Sequence, residues 1–151
     1  MASQSKDIVI IGGSIVGCAT AYYLAQAGAM SGRRICIIEK DPTYATCSTA
    51  RSAGGVRQQF STPENIAMSK VTLDLIRNLK ETFGPQSDVA FREQGYLILA
   101  SPEGADVLAA NVETQLGQGA DIVLMQPDEL ARRFPWLELT GVACGSFGRS
   151  G

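Results

Sequence analysis

Two short apolar runs, Asp7–Ile11 (DIVII) and Ile35–Glu39 (ICIIE), bracket a glycine-rich turn and a run of small residues at helical spacing. Both runs are rich in β-branched residues, which predicts strands buried on both faces. Between them Gly17, Ala21 and Ala25 fall four apart, on one face of a helix that can then lie close on a sheet. Gly28 is the expected stop, and AMSGRR the connection to the second strand. Strand, helix and strand over about 33 residues make a βαβ unit, because parallel strands need such a crossover.

The turn itself, Gly12-Gly13-Ser14-Ile15-Val16-Gly17, reads as the dinucleotide-binding pattern G-x-G-x-x-G with its middle glycine replaced by Ser14. Unpaired N–H groups and the positive dipole end of the following helix attract phosphate there. Glu39 lies 22 positions beyond Gly17, at the end of the second run, where a carboxylate can accept both ribose hydroxyls. An acid rather than an arginine disfavours a 2′-phosphate. Ser14 fits without strain if its φ is negative, and its hydroxyl could then meet a phosphate oxygen. The competing reading is a plain glycine turn with a surface glutamate.

Composition narrows the chemistry. The 151 residues contain no histidine, which removes Ser-His and Cys-His nucleophile pairs and histidine bases from this chain. Cys18, Cys36, Cys47 and Cys144 form no C-x-x-C pair, so no metal site is expected and buried free thiols are the simplest reading. A net charge of −2 gives no electrostatic case for nucleic acid. No apolar run has the length of a membrane span, and the N-terminus lacks a targeting pattern, so a cytoplasmic address is the expectation. Any chemistry here must use something other than histidine, and a cofactor is the obvious candidate.

Beyond Glu39 a long, poorly periodic stretch runs from Lys40 to Ser61. Loops of this length are commonly functional. Its core, CSTARSAGGVRQQFS, gathers Ser48, Thr49 and Ser52, the guanidinium of Arg51, and Gly54-Gly55. Hydroxyl and backbone donors suit a phosphate, the glycine pair suits a flat ring, and Arg57 suits a carboxylate. Gln58 and Gln59 could bond a ring or substrate. A flexible polar loop is the alternative. Thr62-Pro63-Glu64 then starts a helix expected to reach Phe83 and to bury Ile66, Leu75, Ile76, Leu79 and Phe83. A hairpin is expected from Val89–Phe91 and Tyr96–Ala100, a helix from Ser101 to Leu116, a strand at Ile122–Met125, and a short helix from Pro127 to Phe134.

With these motifs in view, DIVIIGGSIVG, ICIIEKD, STARSAGGVRQQFSTPENI, GYLILAS, PDEL and FPW together resemble the FAD-dependent amine and amino-acid oxidoreductases. That is the broad family of D-amino-acid oxidase, glycine oxidase, sarcosine oxidase and sarcosine dehydrogenase. Within it the likeness extends to the FAD-dependent oxidoreductase domain-containing proteins, some of which serve assembly of a respiratory complex. The resemblance implies an α/β fold: a Rossmann-like FAD-binding βαβ unit in residues 1–84, then the beginning of an α+β substrate domain in residues 85–151. It implies FAD held by Gly12, Gly13, Ser14, Ile15, Val16 and Gly17 at the pyrophosphate and adenosine end. Glu39 would take the ribose, with Lys40 beside it. Ser48, Thr49, Arg51 and Ser52 would meet phosphates and the ribityl chain, and Ala53, Gly54 and Gly55 the isoalloxazine. Several relatives attach flavin through a histidine at the place of Arg51, so FAD is expected to be non-covalent here.

Two-electron oxidation of the C–N bond of a small amine or amino acid is the activity implied, with Arg57 beside substrate or flavin and the electron acceptor left open. A non-catalytic FAD-bound assembly factor and an NAD-dependent Rossmann enzyme are the alternatives. The likeness covers only the N-terminal part of such proteins. The 151 residues alone are therefore expected to bind FAD weakly and to be inactive, with the hairpin strands lacking partners.

Overall fold

A computed structural model describes residues 5–28 and 34–151; most of the AMSGRR connection lies outside the described residues. The chain divides into two compact units, Met1–Gly54 and Gly55–Gly151. The domain division expected from the sequence lies at residue 84.

In the first unit β1 (Ile8–Ile11) pairs in parallel with β2 (Ile35–Ile38), and α1 (Ile15–Gln26) lies between them in sequence. The register sets Ile8 opposite Ile35 and Ile11 opposite Ile38. Of the small-residue face expected for α1 only Gly17 is buried; Ala21 is half-buried and Ala25 exposed. Burial of the strands departs from expectation. Val9, Ile11 and Ile38 are exposed, Ile11 by 88%, and Ile37 on the opposite face is exposed to a lesser degree. Period two places the first three side chains on one face of the pair. The other face carries Ile10, whose Cγ2 lies 3.4 Å from where a Cβ on Gly17 would be. One helix can cover only one face of the strands.

The second unit is a three-stranded antiparallel sheet with helices. α2 (Pro63–Arg77) starts at Thr62-Pro63 as the sequence predicts. It stops at Asn78 rather than continuing to Phe83, and α3 (Leu79–Phe83) follows as a separate short helix. The reason is local: the Asn78 side chain and its own N–H both donate to the Asp74 carbonyl, the competition that makes asparagine a poor helix interior. Ile66 and Leu73 are the residues α2 buries, two turns apart, while Phe83 is 46% exposed.

The expected hairpin does not form. β3 is Tyr96–Ala100, but Val89–Phe91 is not a strand. Ala90 has φ +53 and its N–H donates to the Asp88 carboxylate at 2.7 Å, so that amide is unavailable to a ladder. β3 instead pairs with β5 (Cys144–Gly148), Tyr96 opposite Gly148. After a 3₁₀ turn at Pro102–Gly104 come α4 (Ala105–Gly117), β4 (Ile122–Met125) and α5 (Pro127–Arg133). The strand order is β3-β5-β4. The strands therefore do have partners.

β5 has the sequence CGSFG, a poor strand former by propensity, yet it is central and buried throughout. A Cβ on Gly145 would stand 3.0 Å from Leu130 Cδ2 and 3.1 Å from Leu99 Cδ2, so glycine admits the α5 side chain onto the sheet. Two apolar clusters result: Ile66, Val112, Ala120 and Ile122, and then Met125, Leu130 and Phe147. Among the described residues no helix is long and apolar enough to cross a membrane.

Candidate functional site

In the first unit β1 ends at Gly12, whose N–H donates to the Ile38 carbonyl at 2.8 Å and whose φ of +99° favours glycine. The chain then enters α1. A Cβ at Gly17 would fall 1.8 Å from the Gly12 carbonyl oxygen, so this position excludes every side chain. Ser14 stands at the N-cap with φ −74° and ψ −171°, extended backbone that costs serine nothing. It makes no side-chain cap bond to α1. The first-turn N–H groups, which have no partner within the helix, therefore remain directed out of its end.

Glu39 is tied to this turn. Its Oε2 accepts the Gly13 N–H at 2.8 Å and its Oε1 accepts the Asp41 N–H at 2.9 Å. The Asp41 N–H first, then that of Gly13, hold the carboxyl below the usual carboxylate range. Each oxygen keeps a lone pair for a further donor. Because the folded-state value is lowered, this tie stabilises fully above the ordinary glutamate range and is lost as acid takes pH down through the folded value. We expect the parent chain to lose thermal stability relative to Glu39→Gln below about pH 4, and to keep a constant advantage above about pH 5. Paired melting curves across that range measure it; curves that stay parallel into acid would contradict it.

A pocket of about 420 Å³ opens beside the turn, lined by Gly13, Ser14, Ile15, Cys18, Tyr44, Cys47, Thr49 and Ala50. The structure thus brings Thr49 to the glycine turn: the Ser14 hydroxyl donates to Thr49 Oγ1 at 2.7 Å. The remaining residues of this loop, Ser48, Arg51, Ser52, Ala53 and Gly54, are exposed and do not line that pocket, as is Lys40. Ile15 and Val16 hold their side chains in solvent, 62% and 77% exposed, so their contribution is backbone.

Sequence reasoning missed three lining groups. Tyr44 has φ +57° and brings its hydroxyl within 3.1 Å of a Cβ placed on Gly13. Cys18 donates its thiol to the Gly13 carbonyl at 2.9 Å, and Cys47 accepts the Ala50 N–H at 3.3 Å. The Ser14 hydroxyl, then the Ala50 N–H, hold the Cys47 thiol below its ordinary value. The reading of all four cysteines as buried holds for Cys144 alone; Cys18 is exposed and Cys36 and Cys47 are half-buried. Cys18 falls one residue past Gly17, on the turn that the fingerprint already marks.

The second unit carries its own pocket, also of about 420 Å³, lined by Gly55, Val56, Arg57, Phe60, Asn65, Met68, Ser69 and Thr72. The Arg57 guanidinium carbon lies 5.1 Å from the Phe60 ring centroid and 5.4 Å from that of Tyr96, and its buried Nε has no hydrogen-bond partner among the described residues. Asn65, Ser69 and Thr72 repeat at helical spacing along α2, a polar stripe legible in the sequence but not singled out. Gln58 and Gln59 are buried. Gln59 donates to the carbonyls of Tyr96 and Ser146 and to the Ser146 hydroxyl, so its amide braces the sheet.

The group that the glycine turn suits is a nucleotide phosphate with its ribose. The Gly17–Gly12 contact leaves backbone alone at the turn, first-turn N–H groups face outward, and the carboxylate stands beside them. These residues fit the adenosine and pyrophosphate end of FAD.

Comparison with known proteins agrees in kind. Residues 7–151 match the family model described as FAD dependent oxidoreductase, DAO. The FAD-dependent oxidoreductase domain-containing protein 1 of Xenopus laevis is 44% identical over 150 residues, covering 96% of this chain and 30% of its own length. The Bos taurus protein of the same description is 41% identical over 150 residues, 96% of this chain and 31% of its length. Among solved structures, L-proline dehydrogenase from P. horikoshii superposes with a TM-score of 0.79 at 30% identity, covering 99% of this chain and 38% of that one. The chain thus spans about 30% of the length of the curated relatives it matches.

Proposed function

Because the chain belongs to the FAD-dependent oxidoreductase (DAO) family, we propose that its glycine turn and Glu39 hold FAD without a covalent bond, and that the whole protein oxidises the C–N bond of a small amine or amino acid. The observation that carries the reading is the turn: backbone contact at Gly12 and Gly17, with the Glu39 carboxylate bonded to Gly13 beside it. Residues 1–84 are assigned to the FAD-binding domain and 85–151 to the start of a substrate domain.

In this reading Gly12, Gly13, Ser14, Ile15, Val16 and Gly17 present backbone to the pyrophosphate. Glu39 accepts from the ribose, beside Lys40. Ser48, Thr49, Arg51 and Ser52 serve the phosphates and ribityl chain, and Ala53, Gly54 and Gly55 the ring. FAD, when bound, supplies the acceptor for the two electrons. The chain's own task is orientation. Arg57 has a buried Nε in need of an acceptor, and aromatic rings on which its guanidinium rests, so it is assigned to an anionic group of the substrate. The amino-acid class is supported by the likeness to a protein titled L-proline dehydrogenase. A cytoplasmic site of action completes the reading.

The test is spectroscopic. The protein is expected to carry the visible absorption of an oxidised flavin and to bleach anaerobically with proline, sarcosine or glycine. Arg57→Met should raise the concentration of amine needed for half-bleaching by about tenfold or more, the scale of a lost charge-assisted bond. A flavin band that no amine bleaches would turn the reading to a non-catalytic flavoprotein. Nicotinamide binding without a flavin band would turn it to a Rossmann dehydrogenase.

A further inference from the structure

We propose that Ser14 is a positioning residue whose side chain ties the glycine turn to the Cys47–Ser52 segment, so that restoring the fingerprint glycine at this place weakens FAD binding instead of improving it. The inference rests on the reading that this unit holds the pyrophosphate of FAD.

A glycine in the middle of G-x-G-x-x-G serves close backbone approach. At Ser14 the structure uses the position differently. Its φ of −74° needs no glycine, so nothing in the backbone is relieved by removing the side chain. The hydroxyl is not turned back to cap α1. It donates to Thr49 Oγ1 at 2.7 Å, across 35 positions of sequence.

The segment that Thr49 belongs to is built of turns. Its own hydrogen bonds are local: Cys47 N–H to Tyr44, Arg51 N–H to Cys47, Ser52 N–H to Thr49 and Gly54 N–H to the Ser52 hydroxyl. None of these fixes the segment against the glycine turn. The Ser14 side chain does, through its bond to Thr49 and its contact with the Cys47 thiol, and all three residues line the same pocket. Thr49 Oγ1, having accepted from Ser14, keeps its own hydrogen to donate outward. A glycine at 14 would lose the tie and also loosen the turn, since glycine has more backbone freedom to surrender.

The experiment compares Ser14→Gly, Ser14→Ala, Ser14→Thr, Thr49→Ala and the Ser14→Ala/Thr49→Ala double variant in the full chain. FAD affinity is read by quenching of flavin fluorescence, and amide hydrogen exchange of residues 47–52 is read without FAD. Ser14→Gly and Ser14→Ala are expected to bind FAD about fivefold more weakly, the scale of one neutral hydrogen bond, and to speed exchange in the segment. Ser14→Thr keeps the hydroxyl and should restore both. Thr49→Ala should lose no more than Ser14→Ala, which also gives up the Cys47 contact, and the double variant should be no worse than Ser14→Ala. Ser14→Gly binding FAD as tightly as the parent, or fully additive losses in the double variant, would overturn the proposal. If the parent binds no FAD, the functional reading fails separately. The exchange data then decide the tie alone: unchanged exchange in Ser14→Ala rejects it, faster exchange upholds it.

Discussion

Gly17→Ala is expected to weaken FAD binding about a hundredfold and to destabilise the first unit. The added Cβ would sit 1.8 Å from the Gly12 carbonyl oxygen, a backbone atom with no rotamer to escape into. Either α1 withdraws from β1 or the turn opens. Overpacking of this kind costs about 3 kcal/mol, a loss of about a hundredfold in any binding that needs the intact turn. Gly28→Ala is the matching control, since a Cβ there meets nothing within 4 Å. Calorimetric melting and flavin titration of the two variants give the comparison. If Gly17→Ala binds FAD like the control, the turn does not hold the cofactor.

Leu130→Ala is expected to produce the largest loss in the second unit. Leu130 is fully buried and seated against Gly145, within the cluster it shares with Met125 and Phe147. A loss of about 2–5 kcal/mol follows, seen as a fall in melting temperature of roughly 10 °C or more. The contact also predicts a sign reversal. Gly145→Ala alone should destabilise, because its methyl meets Leu130 at 3.0 Å and Leu99 at 3.1 Å. In the Leu130→Ala background the same methyl enters vacated space and should restore part of the stability. Additive losses in the double variant would refute the packing described for Gly145.

What the sequence made legible is what depends on near neighbours. β1, α1 and β2 follow from local periodicity, and the Glu39 spacing follows from the length of that crossover. The Thr62-Pro63 start of α2 is a local cap signal, and so is Pro127 at the start of α5, where the capping box is completed by Gln126 and Glu129. What was not legible depends on distant neighbours. β5 reads as glycine and serine, residues that avoid strands, and becomes one because β3 and β4 flank it and Leu130 needs the room. Val89–Phe91 reads as a strand and fails because one aspartate captures one amide. At the site, Gly12, Gly17 and Glu39 were visible because fixed spacing marks them. The Ser14–Thr49 bond was not, because a contact across 35 positions leaves no period. Tyr44 and Cys47 were hidden for the same reason, inside a loop whose turns carry no repeating pattern.

The central place of β5 also sets an order of events. β3 and β4 do not pair with each other; each finds its ladder on β5, which follows both in sequence, and Tyr96 must wait for Gly148. During synthesis the second unit therefore emerges with two apolar strands and no template between them. Helices α2 and α4 can form from local contacts, whereas every pairing in the sheet is made by the same five residues, so neither ladder can form before they are made. A ribosome that pauses before residue 144 holds a chain with exposed strand edges, because the residues that pair with them have yet to be made.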